Sequence, residues 1–224
     1  MTFSVTARCA RTGQLGIAIS SSSIAVGARC PWVAAMTGAV SSQNITLPLL
    51  GIRTLAHLEE GSGVQSALAQ ALAEDAFSAW RQVVAIDAAG NIAAFSGEKT
   101  LGTHHIVRGN DCVAAGNMLA NPGVIDAMVA TFEACPGDLA DRLMAALQAG
   151  LAKGGEAGPV HSAALKVAGE QPWLLVDLRV DWRDEDPIGE LARLWQAYRP
   201  QMQDYLTRAQ DPRQAPGYGV PGDE

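Results

Sequence analysis

The sequence predicts an α+β fold, a four-layer α/β/β/α sandwich of antiparallel sheets. Two observations lead there. Strand-like segments come in pairs joined by short turns rich in Gly, Asn and Asp, the signature of hairpins and therefore of antiparallel sheets. Between them lie helical segments, also in pairs, and helices grouped this way pack as layers outside the sheets. Two sheets face to face, with helices on both outer sides, is the economical way to bury every apolar stripe.

Residues 2–8 alternate cleanly, with Phe3, Val5 and Ala7 on one face and Thr2, Ser4, Thr6 and Arg8 on the other. A turn at Arg11, Thr12 and Gly13 leads to a second strand with Leu15, Ile17 and Ile19 on one face, giving an N-terminal hairpin. The serine run at 20–23 is followed by a short apolar segment over 24–28 and a strand expected over 35–43, which ends in Ser41, Ser42, Gln43 and Asn44. Pro48 and Gly51 open a helix pair. Leu55 and Leu58 fall at helical spacing, Gly61 and Gly63 punctuate, and residues 64–80 continue with Leu68, Leu72 and Ala76 in register.

A second hairpin joins 82–86 to 92–95 through the turn at 87–91, and short strands follow near 105–107 and 112–115. The second helix pair spans 122–153, with Asn121 placed as a cap and Pro122 at the first helical position. Pro136, Gly137 and Asp138 break it, and Gly154 and Gly155 end it. Residues 162–168 and 174–180 form a third hairpin. A closing amphipathic helix over 187–209 carries Leu191, Leu194, Trp195 and Tyr198 on one face. The organisation is one domain over 1–210 and a Pro- and Gly-rich tail, 211–224, without regular structure.

With 224 residues, 48% hydrophobic and 17% charged, the chain suits a soluble globular domain large enough for a two-layer core. A net charge of −7 and the lack of a polybasic run speak against nucleic acid and anionic membrane as partners. The start has no signal-peptide pattern and no apolar run reaches membrane-spanning length, so a cytoplasmic location is expected. Cys9, Cys30, Cys112 and Cys135 form no C-x-x-C pair and read as buried, free thiols.

Thr2 is the leading chemical candidate. Methionine before a small residue favours initiator removal, which would set the α-amine of Thr2 beside its own hydroxyl. Such an amine has a pKa of ~7.7–8.0, so near neutral pH it can serve as the general base for Oγ. This is the N-terminal-threonine form of nucleophilic catalysis, needing neither His nor Asp. An edge-strand Thr without function is the plain alternative. Ser20, Ser21, Ser41, Ser42 and Gln43 sit at strand ends and are candidates for substrate binding. Asn117, between a strand and the helix near Pro122, could place its amide on an oxyanion, or could simply be a turn former.

Other candidates are poorer. His57 reads as exposed on a helix, His104 and His105 point to opposite faces, and His161 stands alone, so no metal spacing appears. The G-x-x-x-x-G-K-[ST] phosphate loop and the G-x-S-x-G elbow are absent from the sequence. Asp177, Arg179 and Asp181 read as a structural ion-pair ladder, with a substrate-facing Arg179 as the minority alternative. Trp182, Trp195 and Tyr198 either fill the core or offer a surface to a second copy in a homodimer.

Several motifs in order carry a resemblance: Thr2-Phe3-Ser4, the Thr12-Gly13 turn, Ala25-Val26-Gly27 before Pro31-Trp32, Gly116-Asn117-Met118-Leu119, Ser162-Ala163-Ala164-Leu165 and Asp177-Leu178-Arg179-Val180-Asp181. With the closing Tyr218-Gly219-Val220-Pro221-Gly222-Asp223, the whole chain resembles the DUF1028 family, which is similar to the Ntn hydrolases. The resemblance implies the same sandwich and an N-terminal nucleophile at Thr2, and it brings no substrate. The expectation is an amidohydrolase cleaving a small amide or related C–N bond, with Thr2 as nucleophile, Asn117 on the oxyanion and no cofactor. The rival is a non-catalytic small-molecule-binding or assembly protein on the same fold.

Overall fold

Both stripes of the first strand are buried. In the computed structural model, which describes residues 1–220, β1 (Thr2–Arg8) turns Phe3, Val5 and Ala7 into one apolar core and Thr2, Ser4 and Thr6 into another interior. The alternation thus separates two cores of different polarity, whereas a strand with one wet face would separate core from water.

Two sheets produce this. The six-stranded sheet runs β10-β9-β2-β1-β8-β7, built from β1, β2 (Leu15–Ser21), β7 (His105–Gly109), β8 (Cys112–Asn117), β9 (Ser162–Ala168) and β10 (Leu174–Val180). The four-stranded sheet runs β3-β4-β5-β6, from β3 (Pro31–Ala34), β4 (Gly38–Asn44), β5 (Arg81–Asp87) and β6 (Ile92–Ser96). All neighbouring strands pair antiparallel. A short helix, α1 (Val26–Arg29), bridges β2 and β3; α2 (Pro48–Glu59) and α3 (Val64–Ala73) cover the smaller sheet. The larger sheet is covered by α4 (Gly123–Ala134), α5 (Leu139–Ala152) and α6 (Pro187–Tyr198). The layers are therefore α/β/β/α.

Each core has a distinct make-up. Phe3, Phe132, Leu143, Leu147 and Trp195 pack between the larger sheet and its helices, while Val40, Leu50, Leu68 and Val83 pack under α2 and α3. Between the sheets, Leu15, Ile17, Ile19 and Ile86 fill one end. The other end is polar and holds Thr2. At the α2 crossing, a Cβ on Gly51 would lie 2.1 Å from Trp32 Cδ1. Gly51→Ala is therefore expected to cost about 2–3 kcal/mol in a denaturant titration, as overpacking does, and a stability unchanged from wild type would contradict that contact.

Several expected boundaries shift. The strand expected over 35–43 starts at Gly38, because Met36 takes a left-handed φ of 58° and turns the chain back onto β3. The strand over Pro31–Ala34 adds to the elements expected from the sequence. β3 is an edge strand, where a missing N–H is tolerated. The helix expected to reach Trp80 stops at Ala73. Asp75 then accepts from Phe77 N and pairs with Arg81 at 2.8 Å, and that guanidinium holds the Asp75 carboxyl below its ordinary range.

The closing helix is two. Pro200, which has no N–H to donate, separates α6 from α7 (Met202–Gln210). Asn121 does not cap α4, since its Nδ2 donates to Lys153 O. His57 is half-buried between Glu60 and Glu74. Cys9, Cys30 and Cys112 are buried and Cys135 is half-buried, all of them free.

Of the expected ladder, Arg179 pairs with Asp181 at 3.1 Å just past the end of β10, while Asp177 stands opposite Lys166 of β9. Trp195 is core, donating to Asp141 Oδ1; Tyr198 is half-buried and donates to Leu175 O; Trp182 is exposed and stacks on His161. In the segment after 210, a short 3-10 turn forms at Pro212–Gln214 and Arg208 lies over Tyr218, while Pro221, Gly222 and Asp223 fall outside the described residues. Among the described residues no helix is long and apolar enough to cross a membrane.

Candidate active site

Thr2 opens β1 and Asn117 closes β8, and the antiparallel register sets them opposite each other on one face. On the other side of β1, Phe3 pairs with Ser20, which places Ser21 beside Thr2, their hydroxyl oxygens 3.3 Å apart. The carbonyl of Met1 accepts from Thr2 Oγ and from Ser21 Oγ, each at 2.5 Å. Ser23 N–H donates to Ser21 Oγ at 3.0 Å, which occupies a lone pair and leaves the Ser21 proton for the Met1 carbonyl.

Below Thr2 runs a chain of buried amides whose orientation is fixed from one end. Gln82 Nε2 donates to the backbone carbonyl of Gly116 at 3.0 Å and to Ser96 Oγ at 3.1 Å, so its Oε1 must be the acceptor. That oxygen takes Gln43 Nε2 at 2.8 Å and Asn117 Nδ2 at 3.1 Å. Gln43 Oε1 is then free to accept from Ser4 Oγ at 2.7 Å and Ser41 Oγ at 3.1 Å. At the far end Asn117 Oδ1 is buried without a partner among the described residues. It is an acceptor without a donor, a costly arrangement that marks a place for one.

The expected site residues divide by strand parity. Thr2, Asn117, Ser21, Ser41 and Gln43 converge between the sheets. Ser20 turns to the opposite face, where its hydroxyl donates to Ser162 O, and Ser42 faces α2, donating to Leu47 O. Neither reaches Thr2, because consecutive residues on a strand point to opposite faces.

Two residues were not foreseen. Gln82 stands in a run of buried strand residues, and a lone amide there was a readable sign. Glu156 comes from a glycine-rich loop, where no sequence motif singles it out. It is only 4% exposed, and both its carboxylate oxygens lie 3.2 Å from Ser22 N. Burial pushes its carboxyl up to about 7; the N-terminal ammonium, and then Ser22, pull the other way.

Because the folded carboxyl holds its proton more tightly than the ordinary value of 4.5, its contribution to stability is full below that value and is lost as pH rises through about 7. The fall is on the order of 3 kcal/mol. Urea midpoints on either side of this window should show it in the wild type and lose most of it in Glu156→Gln. An unchanged slope in the variant would assign the effect to other groups.

Three non-glycine residues with left-handed backbone stand at this same end: Ala25 after β2, Asn44 closing β4 and Met118 directly after Asn117, with φ of 54°, 73° and 49°. Held strain of this kind collects at functional sites, at roughly 1–3 kcal/mol each. Among the described residues no three His, Cys, Asp or Glu side chains gather as a metal site would require.

The fold and this end of it define an α/β/β/α sandwich whose central first strand presents a hydroxyl residue beside a buried amide chain. The chain belongs to the DUF1028 family, a family of unknown function, whose model matches residues 2–191. The crystal structure of a DUF1028 protein from Silicibacter pomeroyi is similar, at 33% identity over 88% of each chain and a TM-score of 0.82. The ancestral β-subunit Anbu from Yersinia bercovieri aligns over 97% of this chain and 100% of its own, at 8% identity and a TM-score of 0.41. Comparison with curated proteins returns no match.

Proposed function

We propose that this protein is an amidohydrolase in which Thr2, exposed by removal of Met1, is the N-terminal nucleophile acting on a small amide or related C–N bond. The observation that carries this reading is the convergence of the Thr2 and Ser21 hydroxyls on one carbonyl oxygen, that of Met1. A carbonyl fits within reach of Thr2 Oγ with a proton donor already on its oxygen, which is what acyl transfer needs.

In the mature form the α-amine of Thr2 takes the proton from Oγ as the hydroxyl attacks. Ser21 donates to the developing oxyanion. The amine then returns the proton to the departing nitrogen, and water releases the acyl group from its ester with Thr2. Asn117 belongs to this site, but its geometry favours a different task from oxyanion binding: one amide hydrogen is committed to Gln82, while the unpartnered Oδ1 suits a hydrogen of the Thr2 amine. Ser41 and Gln43 act at one remove, holding the amide chain through Gln82. The chemistry requires no cofactor.

Intact-mass measurement and N-terminal sequencing of the protein from its own host test the premise. The expected result is a chain beginning at Thr2 that is acylated there by a broad electrophilic amide probe. Quantitative retention of Met1 would leave Thr2 nitrogen as a peptide amide without basicity, and would favour a binding role on this fold instead.

A further inference from the structure

Met1 is more than a cap on Thr2, because both its carbonyl and its side chain are held. Its carbonyl sits under the hydroxyls of Ser21 and Thr2. Its side chain lies along Gly158, where a Cβ would come within 3.2 Å of the Met1 Cε and 3.8 Å of its sulfur. Two residues before Gly158, the Glu156 carboxylate is buried with both oxygens 3.2 Å from Ser22 N, next to the Ser21 that holds the Met1 carbonyl. The N-terminal ammonium pulls that carboxyl down against burial. A chain's first residue ordinarily frays into water, yet Met1 is half-buried.

Glu156, for its part, receives hydrogen bonds from the single backbone N–H of Ser22, little for a carboxylate so far from water. A positive group arriving beside it would relieve that cost.

We propose that the site takes an α-aminoacyl group with a free ammonium: Glu156 binds the ammonium, Ser21 the carbonyl oxygen, and the space along Gly158 a slender, unbranched side chain. This rests on Thr2 being the nucleophile, and it specifies the substrate class as amides of L-α-amino acids or the first residue of a short peptide. Met1 is tethered to Thr2 nitrogen, whereas a free substrate is not. The substrate can shift by a bond length and close its ammonium onto Glu156.

The reaction balances as follows. Thr2 Oγ bonds to the acyl carbon, the C–N bond breaks, and the Thr2 amine passes the Oγ proton to the leaving amine. Water then cleaves the ester, releasing a free amino acid and restoring the hydroxyl.

The test uses protein beginning at Thr2, with L-methioninamide and N-acetyl-L-methioninamide as probes. The free amine should be preferred by about 30-fold or more in kcat/KM, the effect of truncating one partner of a buried charge pair. Glu156→Gln should bring the ratio near unity. Gly158→Ala, which narrows the slot without touching the carboxylate, should shift preference from L-methioninamide towards L-alaninamide. An acetylated probe used equally well, or a ratio retained in Glu156→Gln, would overturn the proposal. So would an equal loss on both probes, which would put Glu156 on the Thr2 amine.

Calorimetry with L-methionine and N-acetyl-L-methionine reads the same preference without turnover. Amine-selective binding without hydrolysis would sink the nucleophile and spare the ammonium site. Thr2-dependent hydrolysis of amine-free amides alone would do the reverse.

Discussion

Thr2→Ala, in protein that begins at this residue, should lower amide turnover by roughly 10³-fold or more, the scale on which removing a nucleophile acts. The effect should fall on kcat, because Ser21, Glu156 and the space along Gly158 remain to bind substrate. Thr2→Ser keeps the hydroxyl and amine and should retain a measurable fraction. The pH profile supplies a second readout. The base is an α-amine, so kcat should rise with pH as that amine loses its proton, near ~7.7–8.0 before the site perturbs it. Kinetics on an active small amide or ureido compound found by screening would decide the matter. An alanine variant within about tenfold of wild type would remove Thr2 from the chemistry, since oxyanion and binding contacts alone leave far less than that.

Gln82→Ala should be the most damaging change to the site's framework. Its amide satisfies the Gly116 carbonyl, Ser96 Oγ, Gln43 Nε2 and Asn117 Nδ2, all at 3.1 Å or less. Truncation strands these groups in an interior where Gln43, Gln82 and Asn117 are fully buried. Each stranded group costs about 1–3 kcal/mol, and allowing for relaxation a net loss of about 4 kcal/mol is expected. That is a large share of the roughly 5–15 kcal/mol that holds a domain together. Chemical denaturation measures it directly. A loss below about 1 kcal/mol would mean that water or rotation satisfies those groups without Gln82.

The fold was legible because hairpin alternation and helix spacing are local signals that the packing did not override. β9 and β10 appear where their alternation put them. A misreading arose where tertiary contacts override a local signal: the 64–80 apolar register is cut short by the Asp75–Arg81 pair.

The site was half legible. Leu15, Ile17 and Ile19 already fix the parity of β2, and that parity selects Ser21 over Ser20; choosing neighbouring serines together ignored it. Glu156 could not be read at all. Its loop is joined to the site by a bridge between Glu156 and Leu119, a contact that no periodicity encodes.

The place of β1 in the six-stranded sheet has a consequence in time. β1 is an inner strand, with β2 on one side and β8 on the other. β2 is made at once, but Asn117, the partner of Thr2, is more than a hundred residues away. At about 5–20 residues per second, synthesis leaves one edge of β1 open for roughly 6–25 s before β8 can dock. Under the function proposed above, removal of Met1 would belong in that interval, since afterwards its carbonyl is held by two hydroxyls and the residue is half-buried. Maturation of the proposed enzyme would then be a race between processing and the closing of a sheet, with the fraction of active molecules set during translation.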